Sequence, residues 1–96
     1  MKKFLILFHD RWEPKPEIMA AWQAWFAAVG DRFVDSGNPF ATGFEVTKSG
    51  SRELLPTDGA STGYAIVSAG SLDDAAALLE GCPFSTSVRI YEASPM

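Results

Sequence analysis

Lys3-Phe4-Leu5-Ile6-Leu7-Phe8-His9 is the stretch that decides the fold. It is a short apolar run closed by the polar pair Asp10-Arg11, which reads as a buried β-strand. Side chains alternate across a strand, so Phe4, Ile6 and Phe8 share one face and Leu5, Leu7 and His9 the other. Both faces are apolar and both call for cover. The rest of the chain must supply it.

Pro14 and Pro16 punctuate the loop that follows, and Pro16 suits a first helical turn, where its missing N–H is not needed. Glu17 complements the positive end of the helix dipole. At ~100° per residue, Ile18, Trp22, Trp25, Phe26, Val29 and Phe33 form one stripe, which predicts a helix from Pro16 to Val34 ending before Ser36-Gly37. Gly30 lowers helix propensity inside that span without having to break it. Phe40 to Thr47 then alternates as a strand, Lys48-Ser49-Gly50-Ser51 is a turn, and Arg52 to Leu55 is a weaker extension. Pro56-Thr57-Asp58-Gly59 is a second turn, and Gly63 to Ala69 is a third main strand. Ser71 with Asp74 forms a capping-box variant for a helix carrying Leu72, Ala75, Ala76 and Leu79, stopped by Gly81 and Pro83. Ser87 to Ala93 closes the chain as a strand.

The order is β-α-β-β-α-β, an α+β, ferredoxin-like pattern in which one antiparallel four-stranded sheet carries both helices on one side. With 96 residues, 47% hydrophobic and 21% charged, there is room for one globular domain, spanning 1–96. A domain this small buries only ~60–70% of its unfolded surface. A second copy against the bare sheet face is the expected remedy.

Charge and motif content narrow the chemistry. Eight Lys and Arg against twelve Asp and Glu leave a net charge of −4, which repels a phosphate backbone, so nucleic acid is not an expected partner. One Cys and one His exclude an internal disulfide and a conventional zinc set, so no metal is expected. Lys48-Ser49-Gly50-Ser51-Arg52 is not a phosphate loop, and neither a dinucleotide fingerprint nor a nucleophile elbow occurs, so no cofactor is expected. The opening apolar run, Phe4 to Phe8, is shorter than the ~7–15 residues of a signal-peptide core. The longest run anywhere, Ala24 to Val29, is far below the ~18 of a membrane span. The expectation is a cytoplasmic protein with no membrane partner.

The chain resembles the YCII-related family, also called DGPF-like proteins, of the dimeric α/β-barrel superfamily. The resemblance is carried by Lys3 to Phe8, Met19-Ala20-Ala21-Trp22-Gln23-Ala24-Trp25, Val34-Asp35-Ser36-Gly37-Asn38-Pro39, Thr57-Asp58-Gly59, Thr62 to Val67 and Ser71 to Ala76. It implies two ferredoxin-like chains paired sheet to sheet as a barrel, hence a homodimer. It also implies a cleft in which a histidine and an aspartate have been taken as a catalytic pair, although most members have no assigned reaction. Two departures stand out: Gly81-Cys82-Pro83-Phe84 lacks the histidines that related sequences often carry there, and the Asp-Gly-Pro-Phe signature is reduced to Asp58-Gly59-Ala60-Ser61.

Two functional expectations follow. In the first, His9, at the end of the opening strand, is a general acid or base with Asp58 as its charge partner, and Asp10, Arg11 and Trp12 bind substrate. Lyase, isomerase or dehalogenase chemistry would suit that set. In the second, the dimer is a non-catalytic binding or accessory protein holding a small apolar or aromatic ligand, and His9 is polar lining. Each candidate also has an ordinary structural role: His9 as a strand-end hydrogen bonder, Asp58 as Asp-Gly turn chemistry, and Cys82 as a packed thiol.

Overall fold

The structure, a computed structural model, describes residues 1–9, 15–55, 60–84 and 86–95. Strand β1 spans Lys2–Phe8, helix α1 Pro16–Val29, β2 Phe33–Asp35, β3 Phe44–Thr47, β4 Gly50–Glu53, β5 Gly63–Ala69, helix α2 Leu72–Ala77 and β6 Val88–Ala93. Four strands make one antiparallel sheet in the order β2-β5-β1-β6. This is an α+β fold of broadly ferredoxin-like class. The opening strand lies in the middle, with Phe4 opposite Val67, and Ile6 flanked by Ala65 and Ile90.

The alternation read from β1 holds. Phe4, Ile6 and Phe8 are buried with Ala65, Val67 and Ala69 of β5, and helices α1 and α2 add Trp25, Val29 and Ala75 to the same core. The Nε1–H of Trp25 donates to the carbonyl of Leu78 at 2.8 Å and ties α1 to the end of α2. Phe8, Trp22, Trp25 and Phe33 meet edge to face at 5.4–6.1 Å between ring centres, a geometry worth about 0.5–1.5 kcal/mol per pair beyond burial. Ser71 caps α2, its Oγ accepting from the Asp74 N–H at 3.1 Å. On the other sheet face Leu5, Leu7 and Ile66 are only half-buried, and Tyr91 is exposed.

Several boundaries differ from those read in the sequence, among them α2, which ends at Ala77 rather than at Gly81, and β4, which spans Gly50–Glu53 rather than Arg52 to Leu55. Helix α1 stops at Val29, because Gly30 takes φ +53°, a conformation closed to most residues, and its N–H caps the carbonyl of Phe26. A 3-10 turn, Gly30–Arg32, follows. Phe33 therefore belongs to β2, not to the helix; its angular phase on the wheel is coincidental, since the side chain still reaches the same core from the neighbouring strand. Finally, the strand expected at Phe40 to Thr47 does not enter the sheet. Its second half, β3, pairs only with β4 in a separate hairpin, in the register Phe44 to Glu53 and Thr47 to Gly50.

Every residue of that hairpin is exposed, Phe44 at 71% and Val46 at 77%. The arm explains a radius of gyration of 14.5 Å, against about 12.5 Å for a compact domain of this length. Its two strands are joined by the β3–β4 ladder and the bond from Leu54 N–H to Gly43 O at 2.8 Å, with the Arg52–Glu45 ion pair at 3.1 Å across them and Thr47–Ser49–Gly50 bonds in the turn.

Candidate functional site

His9 follows the last residue of β1 and is pinned by its backbone. Its N–H donates to the Ser87 carbonyl at 3.0 Å, and the preceding carbonyl of Phe8 accepts from both the N–H and the hydroxyl of Thr62, at 2.7 and 3.2 Å. The imidazole is thus presented from a strand end held on both sides. Its Nε2 lies 3.1 Å from Ser61 Oγ. Its Nδ1 is shut from solvent and has no hydrogen-bond partner among the described residues. Buried polar atoms left in that condition are uncommon.

The other expected site residues are not placed. Asp58, and with it the His9–Asp58 pair, lies outside the described residues, as do Asp10, Arg11 and Trp12. What the structure brings to His9 is Ser61, which in the sequence alone is no more than the last residue of an altered turn signature. Cys82 is half-buried against the core. Among the described residues no three His, Cys, Asp or Glu side chains converge as a metal site, and no helix is long and apolar enough to cross a membrane.

A cleft of about 320 Å³ opens beside the same strand end, on the helix side of the sheet. Phe8 lies at its base, and Met19, Trp22 and Phe26 of α1, spaced one helical turn apart, form an apolar wall. The facing rim is Ser36-Gly37-Asn38-Pro39, with Thr62, Gly63 and Tyr64 below it. Among the described residues no charged side chain lines the space. His9 is not among the lining residues, so the cleft and the imidazole are neighbours separated by one step of strand alternation.

The rim is held by one carboxylate. Asp35 accepts from the Gly37 N–H through Oδ1 at 2.8 Å and from the Tyr64 hydroxyl through Oδ2 at 2.9 Å. The hydrogen bond to Asp35 raises the Tyr64 pKa, an Asn38 hydrogen bond opposing it in part. Backbone bonds from Tyr64 N–H to Asn38 O and from Phe40 N–H to Thr62 O seat the rim on the start of β5, and the Phe40 ring stacks on Tyr64 at 5.7 Å. The approach is so close that Gly37, at φ +80°, has no alternative. A Cβ there would stand 1.6 Å from the Tyr64 carbonyl oxygen.

The cleft has a chemistry that can be read from its walls. It offers a flat aromatic surface with sulfur and ring edges on one side and neutral hydroxyl, amide and backbone groups on the other, which suits a small apolar molecule bearing few polar atoms. In the sequence these residues have separate readings: Trp22 and Phe26 as core stripe and Ser36 to Pro39 as a helix stop. The available signal is the partial exposure a six-member stripe must leave on a helix with one flank uncovered. Comparison of the chain with protein-family models, with curated proteins and with solved structures found no match.

Proposed function

We propose that this chain is a YCII-related protein that binds a small apolar or aromatic molecule in the cleft between α1 and the start of β5, and that it works as a homodimer. The observation that carries the reading is the cleft itself. Its volume of about 320 Å³ falls at the lower end of the ~300–1,000 Å³ range of small-molecule sites. Its walls are apolar, and its rim is fixed by the Asp35 clamp in advance of any ligand. Leu5, Leu7, Ile66 and Tyr91 on the uncovered sheet face support a second copy as the cover.

The experiment is a fluorescence titration with 2-naphthol, read through the emission of the chain's three tryptophans and corrected for absorption by the ligand, on the native chain and on Met19→Glu. Met19 is already 39% exposed, so a carboxylate there spares the fold while charging the apolar wall. Saturable quenching in the native chain and its loss in the variant is the expected result. Equal titrations in both would end the assignment of the cleft. Sedimentation at micromolar concentration, with a monomer as the adverse result, tests the homodimer.

A second reading, a lyase, isomerase or dehalogenase in which His9 moves a proton, is favoured by one specific observation: the enclosed Nδ1 without a partner among the described residues, on a ring already engaged at Nε2. His9→Ala and His9→Gln assayed against hydroxylated aromatic compounds separate the two readings. Turnover lost in both variants, with 2-naphthol binding kept, favours the enzyme. Turnover unchanged, or absent from the native chain as well, favours the binding protein.

A further inference from the structure

We infer that Ser61 is a positioning residue that fixes the tautomer of His9, holding the proton on Nε2 and leaving Nδ1 as the bare, proton-accepting nitrogen. The inference rests on the second reading above, in which His9 transfers a proton, and adds to it which atom receives the proton and what orients it.

A neutral imidazole carries one N–H, and its two nitrogens exchange roles between tautomers. The surroundings of the two atoms differ sharply. Nε2 faces Ser61 Oγ at 3.1 Å, and a hydroxyl is able either to donate or to accept. Nδ1 is enclosed and has no partner among the described residues. If the proton sat on Nδ1, a buried donor would be left unpaired, the rarer and costlier of the two orphan states. With the proton on Nε2, Ser61 Oγ accepts it, and the atom left over is a lone pair, which tolerates isolation better.

The frame around the pair keeps this geometry. Ser61 precedes Thr62, whose N–H and hydroxyl both hold the Phe8 carbonyl, while the His9 N–H is held by Ser87. The backbones carrying the two side chains are thereby locked at a fixed separation, and ring and hydroxyl have little freedom to part. A base built this way holds Nδ1 away from bulk water. The hydroxyl of Ser61 bonds the ring on the far nitrogen and takes no part in the transfer.

The chain contains one histidine, so a long-range 1H–15N correlation spectrum of the uniformly 15N-labelled protein shows one imidazole, without assignment. At pH ~8, above the ordinary imidazole range, the native chain is expected to show a protonated Nε2 and a bare Nδ1. In Ser61→Ala the two nitrogen shifts should move toward each other as the tautomers mix, and Ser61→Thr, which keeps the hydroxyl, should restore the native pair. A proton on Nδ1 in the native chain overturns the inference, as does a Ser61→Ala spectrum with both nitrogens unmoved. Should Ser61→Ala fail to fold, Ser61→Cys, whose thiol is a far weaker acceptor, takes its place in the same comparison with the same two outcomes. Because the measurement involves no turnover, its failure removes Ser61 from the site while leaving the His9 variants to judge the proton-transfer reading separately.

Discussion

Replacing Gly37 by alanine tests how the cleft rim is held, and Gly81→Ala provides the matched control. The two glycines have nearly the same φ, +80° and +82°. A methyl added at Gly81 would meet nothing within 4 Å, whereas one added at Gly37 would fall 1.6 Å from the Tyr64 carbonyl oxygen. Left-handed backbone alone costs about 1–2 kcal/mol for a residue with a Cβ, and this is the whole effect expected at Gly81. At Gly37 the two backbones must also separate, a displacement of the overpacking kind at about 1–3 kcal/mol. Separation further stretches the 2.8 Å bond from the Gly37 N–H to Asp35, a charged acceptor worth about 1.5–3 kcal/mol when fully lost. The expected total is about 3–5 kcal/mol, a large part of the ~5–14 kcal/mol that a domain of this size commands. With a urea slope of about 1.5 kcal/mol per molar, the midpoint should fall by about 2–3 M in Gly37→Ala and by about 1 M in Gly81→Ala. Midpoints within ~0.3 M of each other would refute the claim that the rim leans on the Tyr64 backbone.

Trp25→Phe should destabilise the chain by about 2–4 kcal/mol, the sum of an abandoned Leu78 carbonyl and the space left by the indole; urea unfolding measures it, and a loss under ~1 kcal/mol would mean that Leu78 finds another donor. Tyr64 carries a pH signature. Its folded pKa is raised by Asp35, so the stabilisation is fully present below the ordinary phenol value near ~10 and is lost as pH rises through the higher folded value. Ultraviolet titration should therefore show one of the two tyrosines ionising late in the native chain and at the ordinary position in Asp35→Asn; identical curves would remove the clamp. In the homodimer proposed above, Leu7→Glu on the half-buried outer sheet face should give a monomer in sedimentation without changing the circular dichroism, and a variant still dimeric would move the interface elsewhere.

Much of this fold is legible because local chemistry and tertiary context agree. The β1 alternation, Pro16 at the helix start, the strand at 63–69 built on Tyr64-Ala65-Ile66-Val67 and the Ser71 cap are each dictated within a few residues. Phe33 escapes such a reading because periodicity reports only which side chains reach the core, and a residue on an adjoining strand reaches it as well as one more helical turn would. The hairpin at 44–53 shows the complementary limit: alternation identifies a strand but not its partner. For the site, His9 stands out as the only side chain with a near-neutral ordinary pKa, but Ser61 is fifty-two positions away and joins it only through the β1–β5 ladder. The cleft is assembled from four separated segments of neutral residues, and no spacing rule connects them.

Placing the opening strand at the centre of the sheet has a kinetic consequence. Both of its neighbours come from the second half of the chain, Lys2 pairing with Ala69 and Lys3 with Ala93, so each ladder must close a loop of more than fifty residues before it returns any cohesion. During synthesis β1 waits, greasy and unmatched, until β5 and then β6 have emerged, a delay in which capture by a chaperone or by a neighbouring nascent chain competes with folding.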